Sequence, residues 1–385
     1  MKRISELDGV RGVAILLVII WHYFGCQVVP QPGSVVWYCW RATSLTWSGV
    51  DLFFVLSGFL IAGILLDHRD TSNFFRVFYL RRVCRIVPVY LTVLGLYLGF
   101  RGMGLAKSSA FAWLFCNPLP IWSYATFTQN LVMSAEGHFG PNWLSVTWSL
   151  AIEEQFYLFI PLLVYCLPRR VLLCAFVAGV VAAPILRCGW PGLRALVDAP
   201  WRADSLLSGA TLAVLVRWPP FMAAVREHQR VLSGVLVAFL AGSAVLTLRP
   251  DLLGQVLYVG FSPLWLAGLY SLLVLIAFAG TEPWLGRLLR VRVLVWFGQL
   301  SYGIYLFHLP VSGLVHGLFR QRAPQIRDLS DAGVTLLASG LTLLLAALSY
   351  RFLESPILRL GHGFQYAPRP SRDAGYPAMP KEPPH

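Results

Sequence analysis

Two ionisable residues share one apolar stretch near the start of the chain. Asp8 to Val29 reads DGVRGVAILLVIIWHYFGCQVV and holds Arg11 and His22, eleven residues apart. In an α-helix that spacing is three turns plus about 20°, so both side chains lie on one face, roughly 16 Å from each other. An imidazole can take a proton from a hydroxyl, and a guanidinium can grip a phosphate through paired N–H donors. A helix of this length spans a bilayer, where ionisable groups are costly unless they face protein or water. The pair is therefore a candidate for chemistry. The structural alternative is an arginine that snorkels to the interface and a histidine satisfied within the core.

A second acidic feature lies in TWSLAIEEQFYLFIP, Thr147 to Pro161, where Glu153 and Glu154 sit inside another apolar segment. Glu153 is roughly 10 Å from the outer end of its span, and His22 falls at about the same depth in its own. A carboxylate at that depth could orient the imidazole, or it could simply bond two helices together. Glu154 points about 100° away. The stretch YLRRVCRIVPVY, Tyr79 to Tyr90, places Arg81, Arg82 and Arg85 within about one helical turn. Such a cluster suits a polyanion, and it equally suits contact with anionic lipid. Asp51, near the outer end of GVDLFFVLSGFLI, could pair with an arginine or help bind a polar acceptor. Arg202, Asp204 and Ser205 open a later segment, and Tyr302, Tyr305 and His308 lie along LSYGIYLFHLP, with His308 again near the depth of His22. In both of these segments a structural role is the simpler reading.

These residues need long apolar elements to hold them, and the composition supplies such elements. Only 13% of the 385 residues are charged and 57% are hydrophobic, against about a quarter charged in soluble domains, so the fold class is all-α integral membrane. The net charge of +13 comes from arginines in the connections between apolar runs, which is orientation signalling rather than a nucleic-acid surface. The seven cysteines show no Cys-x-x-Cys and no zinc spacing, so no metal site is expected; Cys26 and Cys39 both fall near the outer surface, where a disulfide is allowed. The start resembles a signal peptide, but Trp21 to Phe24 occupy the place of a small-residue cleavage site, so the first segment is expected to be retained.

Ten spans are expected, at 9–29, 48–66, 86–101, 146–166, 171–187, 202–217, 231–248, 256–280, 293–319 and 332–353. The apolar stretch 109–126 is interrupted by Asn117, Pro118 and Pro120. If it does not span, both termini and the arginine-rich loops fall on one side, with about 20 Lys/Arg against about 10 on the other. That bias makes both termini cytoplasmic and 109–126 re-entrant or interfacial. Broken backbone at membrane depth must be buried or line a cavity, so this stretch belongs near an active-site mouth. The sequence divides into a membrane domain, 1–360, and a Pro/Gly/Arg-rich tail, 361–385, expected to be disordered and cytoplasmic.

In order along the chain come LDGVRG with Arg11 and His22, GVDLFFVLSGFLI, YLRRVCRIVPVY, WSLAIEEQFY, RADSLLSGA, LSYGIYLFH and RFLESPILRL. Taken together the set resembles the acyltransferase-3 family of integral membrane O-acyltransferases, which act on bacterial O-antigens, exopolysaccharides, nodulation factors and macrolides. The resemblance covers nearly the whole chain to about residue 360, with no departure at the family's polar positions. It implies a multi-pass protein of the bacterial inner membrane. The co-substrate would be acyl-CoA, with acetyl the expected acyl group, and there would be no permanently bound cofactor. The acceptor would be a hydroxyl of a glycan or glycolipid, with a macrolide as a further possibility. Arg11, Arg81, Arg82 and Arg85 would hold CoA phosphates. His22 would act as general base or carry the acyl group, and Glu153 would orient His22 or the acceptor. Asp51, Trp148, Tyr302 and His308 would contact substrate. Some members carry a fused esterase-like domain; none is seen here, so transfer is expected to finish in the membrane domain or on a separate partner.

Two other readings compete. A transporter of acyl groups or lipid-linked sugars could use the same buried Arg, His and Glu, but it should show inverted repeats or paired broken helices, and neither is evident. A non-catalytic scaffold in a polysaccharide assembly complex would have no use for Arg11, His22 and Glu153 together.

Overall fold

A computed structural model describes residues 4–190, 192–248 and 254–368. Among these residues there is no strand, only helices and two isolated bridges, Val28 with Ile326 and Thr71 with Pro368. The helices are α1 (Ser5–Ile20), α2 (Val35–Ala42), α3 (Gly49–Asp67), α4 (Phe74–Gly102), α5 (Ala112–Phe115), α6 (Ile121–Ala125), α7 (Gln129–Glu136), α8 (Thr147–Cys166) and α9 (Arg169–Gly189). They continue with α10 (Arg194–Val197), α11 (Ala203–Leu215), α12 (Pro219–Glu227), α13 (Gln229–Leu248), α14 (Gly254–Ala279), α15 (Pro283–Leu289), α16 (Arg292–Arg320), α17 (Leu329–Ser349) and α18 (Ser355–Gly363).

Among the described residues, eight helical stretches are long and apolar enough to cross a membrane. A ninth is added if Pro200–Leu215 and Pro219–Glu227, bent by 98°, count as one span. The tenth expected span is α16, whose 29 residues are ample in length but which buries Ser301, His308, Ser312 and His316. Its polar face lowers its hydropathy because it looks into the protein rather than into lipid. Helices at the periphery show the reverse: Leu98, Val181, Ile185, Val237, Leu240 and Leu344 are exposed. A monomer in water does not leave so much contiguous apolar surface uncovered, whereas a lipid-facing belt requires it. The protein is an all-α, multi-pass membrane protein.

Two close helix crossings set the centre. At the first, α1 meets α16 with almost no side chain between the backbones. A Cβ on Gly298 would stand 1.9 Å from the Asp8 carbonyl oxygen, and one on Gly12 would stand 2.0 Å from that of Leu294. At the second, α3 meets α11 in the same way, Gly58 against the Leu206 carbonyl and Gly209 against the Val55 carbonyl, each at 1.9 Å. Small residues of this kind let membrane helices gain dispersion energy where no hydrophobic drive exists between them. The crossings lock the helices that carry His22, Asp51, Arg202 and His308.

The stretch 109–126 does not form a span. It breaks into α5 and α6, followed by α7, and side-chain amides satisfy backbone carbonyls in it and in the segments that flank it. Gln155 Nε2 donates to the Phe127 carbonyl (3.0 Å), Asn142 Nδ2 to that of Trp113 (2.8 Å) and Gln129 Nε2 to that of Thr147 (2.8 Å). This is the condition under which broken backbone survives at membrane depth.

Two further differences from expectation concern the ends of elements. The connection expected at 67–85 is largely helix: α4 begins at Phe74, so Arg81, Arg82 and Arg85 stand on a rigid helical turn rather than a loop. At the C-terminus α18 runs to Gly363, and the chain stays packed as far as Pro368; the rest of the expected tail, 369–385, lies outside the described residues. Cys26 and Cys39 form no disulfide; both are free thiols.

Candidate active site

His22 does not sit on regular α-helix. Trp21–Gly25 forms a π-helical turn, closed by the Cys26 amide donating to the Trp21 carbonyl at 2.8 Å. Such one-turn bulges are uncommon and concentrate at functional sites. Gln27 clamps the turn from below. Its amide nitrogen donates to the His22 carbonyl (3.2 Å) and to Ser312 Oγ (3.1 Å), and its oxygen accepts from Thr335 (3.1 Å). Tyr23 ties the other flank, donating to the His308 carbonyl at 2.9 Å and meeting Thr342 Oγ1 at 2.8 Å.

The imidazole of His22 is oriented by its own helix. Nδ1 lies 2.9 Å from the Val18 carbonyl oxygen. A carbonyl can only accept, so Nδ1 carries the hydrogen and the Nε2 lone pair is left free. His308 is built the same way, with Nδ1 2.8 Å from the Tyr305 carbonyl, and its buried Nε2 has no hydrogen-bond partner. The two rings face each other with centroids 4.7 Å apart at 58°. Their expected closeness in depth is thus realised as direct contact.

Two cavities approach this point from opposite ends of the bundle. One, of about 200 Å³, is lined by Arg11, Arg82, Arg85, Glu153, Tyr157 and Tyr302. The other, of about 730 Å³, is lined by His22 with Trp21, Trp47, Trp113, Trp148 and Tyr258. Val50 and Tyr305 line both and form the partition. Tyr305 is fixed in place, donating to the Val146 carbonyl (2.9 Å) and bonding Ser149 Oγ (2.6 Å). The interrupted stretch contributes Trp113, and the loop after it Asn142, to the larger cavity.

Glu153 is not oriented on His22. It accepts from Tyr157 at 2.7 Å, Tyr157 in turn bonds Ser57 Oγ at 2.5 Å, and the Arg82 guanidinium lies 5.6 Å from the Tyr157 ring centre. The two side chains face different cavities, Glu153 the arginine-lined one and His22 the aromatic one. Glu154 lines neither cavity, and one of its carboxylate oxygens is buried without a partner. Arg11 lies in the smaller cavity with Nη1 3.0 Å from Asp8. Arg81 lies outside that cavity, with Nε and Nη2 donating to the Phe364 carbonyl at 2.9 and 2.5 Å. Tyr302 belongs to the arginine-lined cavity and donates to the Ile86 carbonyl at 2.7 Å. Trp148 belongs to the larger one.

Asp51 lines neither cavity. It is fully buried, paired with Arg202, and accepts from Ser205 Oγ at 2.8 Å. Of the two roles open to it in the sequence, the structure favours the arginine partner. Arg202 in turn lines the larger cavity, as does Arg187, which bonds Asp204 at 2.6 Å and the Gly260 carbonyl at 2.9 Å. Two buried guanidinium groups, each paired with a buried aspartate, thus reach the lining of this aromatic cavity. Arg187 and Gln27 escaped the sequence reading. An arginine at the end of an apolar run reads as an interfacial anchor, and a lone glutamine after a π turn leaves no periodic trace.

Residues 4–351 match the family model described as an acyltransferase domain. The chain belongs to the acyltransferase-3 family. It is 27% identical over 389 residues to the O-acetyltransferase OatA of Staphylococcus aureus strain NCTC 8325 / PS 47, covering 96% of this chain and 59% of that protein. OatA of strain MRSA252 is similar to the same extent, 27% over 389 residues. This acyltransferase-3 chain therefore spans about three-fifths of the length of those relatives. No solved structure matches it.

Proposed function

We propose that this acyltransferase moves an acetyl group from acetyl-CoA to a hydroxyl of a sugar-containing acceptor, across the partition formed by Val50 and Tyr305. The observation that carries the reading is the pair of unlike cavities meeting beside one free imidazole nitrogen. The arginine-lined cavity suits the donor: Arg11, Arg82 and Arg85 offer charge-assisted bonds to phosphates, and its apolar lining of Phe53, Phe54 and Leu60 suits a pantetheine arm. The aromatic cavity suits the acceptor, because flat indole faces stack on the C–H faces of sugar rings while Arg187 and Arg202 hold polar groups. Exopolysaccharide, O-antigen and lipid-linked glycans share that chemistry, and a glycosylated macrolide would use it too.

The steps balance without further reagents. Nε2 of His22 takes the proton of the acceptor hydroxyl as the oxygen attacks the thioester carbonyl. The C–S bond breaks, the CoA sulfur leaves with its electron pair, and the imidazolium returns the proton to it. The products are the ester and CoA. Positioning and base catalysis suffice, because a thiolate is a good leaving group. In this reading Glu153 acts on the donor side, where its bond to Tyr157 sets the wall of the arginine cavity. The orientation that fits has both termini and the arginine cavity on the cytoplasmic side of a bacterial inner membrane, where acyl-CoA is found.

The test is acetyl transfer by the full chain in lipid nanodiscs, with radiolabelled acetyl-CoA and a panel of glycan acceptors. His22→Ala should abolish transfer while leaving CoA binding intact. Transfer at the parental rate with equal folded protein would sink the mechanism.

A further inference from the structure

A third cavity, of about 130 Å³, opens at the foot of α4 and has no acidic residue in its wall. Arg81, Arg82 and Arg85 line it from one side, and His362 and Tyr366 from the other. Arg82 and Arg85 also line the donor cavity, so the two spaces share a wall. Cavities of this order hold a group of about benzene size. A phosphate fits, and the remainder of a larger ligand must run out of it.

The second wall is a strap, Gly361–Pro368, which lies beyond the end of the family match at residue 351. Its docking is specific. Gly361 is buried against α4, where a Cβ would meet that of Cys84 at 3.0 Å. Asn73 donates to the Gln365 carbonyl and accepts from the Ala367 amide, both at 2.9 Å, and the Ser72 amide donates to the Ala367 carbonyl at 3.0 Å. The Tyr366 ring stacks on His68 with centroids 3.9 Å apart, and the Arg81 guanidinium lies 5.2 Å from its centre. Yet the Tyr366 hydroxyl is buried with no hydrogen-bond partner. A buried orphan hydroxyl beside three guanidinium groups is a donor awaiting an acceptor, and leaving it so is costly.

We propose that the strap completes a phosphate site, in which the Tyr366 hydroxyl and His362 join Arg81, Arg82 and Arg85 in holding the phosphate-bearing end of the thioester donor. The proposal rests on the acyl-CoA reading above. It makes the strap a determinant of donor affinity and places the nucleotide end of the donor at the base of α4, with the pantetheine arm running past Arg82 and Arg85 into the donor cavity. Anionic lipid headgroups carry the same phosphate chemistry, and the test separates the two sources.

Calorimetry on the full chain in phosphatidylcholine nanodiscs should compare CoA with pantetheine, which lacks all phosphates. Tyr366→Phe keeps the ring stacked on His68 and removes only the hydroxyl, so the strap stays docked. We expect Tyr366→Phe and His362→Ala each to weaken CoA binding by about tenfold and to leave the weak binding of pantetheine unchanged. Parental affinity for CoA in both variants would overturn the role of the strap and leave the donor reading standing. Absence of CoA binding in the parental protein would overturn both. If phosphatidylglycerol in the disc lowered CoA affinity in the parental protein but not in the variants, a lipid headgroup would be the occupant and the proposal would fall.

Discussion

His22 and His308 present their rings to each other at 4.7 Å, each with Nδ1 committed to a backbone carbonyl. Both imidazoles therefore turn an Nε2 lone pair away from the helix that holds them. When the proposed reaction places a proton on His22, the neighbouring imidazole, with its unpartnered Nε2, is placed to share it. His308→Ala should lower the transfer rate by about 10²-fold, within the range of general-base effects, with CoA affinity unchanged. Steady-state kinetics alongside calorimetry reads both quantities. A purely structural His308 would change them together, through loss of folded protein.

Donor affinity should depend on the arginines in an ordered way. Arg82 and Arg85 line both the donor cavity and the space beside the strap, whereas Arg11 lines only the donor cavity. Arg82→Ala and Arg85→Ala should each weaken CoA by about tenfold or more, since each removes a charge-assisted bond to phosphate. Affinity of the parental protein should fall with ionic strength, and that of Arg82→Ala less steeply. Equal slopes for the two proteins would show that the arginine does not touch the ligand.

The acceptor side predicts a different kinetic signature. Trp148 lines only the larger cavity and packs edge-on against Phe54 at 6.2 Å between ring centres. Trp148→Ala removes a stacking face without touching the arginine cavity. The KM for the acceptor should rise about tenfold while the KM for acetyl-CoA stays constant, since a buried aromatic contact is worth on the order of 1–2 kcal/mol. Acceptor titrations at fixed donor decide it.

Much of this architecture could be read in the chain, and the failures have physical causes. Long apolar runs such as those of α3, α9 and α14 announce membrane helices, because lipid offers no hydrogen bonds to any other backbone. The Asn-Pro-Leu-Pro break at 117–120 made one stretch ambiguous, and the charge bias across the membrane excluded it as a span, in agreement with the structure. Counting residues also put His308 near the depth of His22, though not in contact with it. The same count placed Glu153 level with His22, yet the carboxylate faces the other cavity and bonds Tyr157. The π turn at Trp21–Gly25 was invisible because counting at 3.6 residues per turn assumes that it is absent. Arg187 was hidden for a related reason: its value comes from Asp204 and Gly260, which only the tertiary fold brings to it.

The close crossings make a stability prediction. A Cβ at Gly58 or Gly209 would stand 1.9 Å from a backbone oxygen of the opposing helix, which cannot move aside like a side-chain tip. Gly58→Val and Gly209→Val should each force α3 and α11 apart, at a cost of about 1–3 kcal/mol or more. Gly95→Val on α4, where nothing lies within 4 Å of the new Cβ, is the control. Thermal unfolding in detergent should show large losses for the first two and little change for the third.

The Asp51–Arg202 pair separates a positioning role from a binding role. Both side chains are almost completely buried, and Ser205 supplies a further donor to the carboxylate. Removing one partner of a buried ion pair strands the other charge, at a cost of about 3–5 kcal/mol, whereas replacing both with apolar groups can be nearly neutral. Asp51→Leu and Arg202→Leu should therefore each destabilise the protein strongly, and the double variant should recover most of the loss. Function should not recover with it. Arg202 lines the larger cavity while Asp51 does not, so the folded double variant would still lack a guanidinium donor facing the acceptor. A double-mutant cycle on thermal stability, run beside acceptor KM, measures the two effects separately. Recovery of both in the double variant would mean that Arg202 serves only the fold, and that Arg187 alone offers a guanidinium donor to the acceptor.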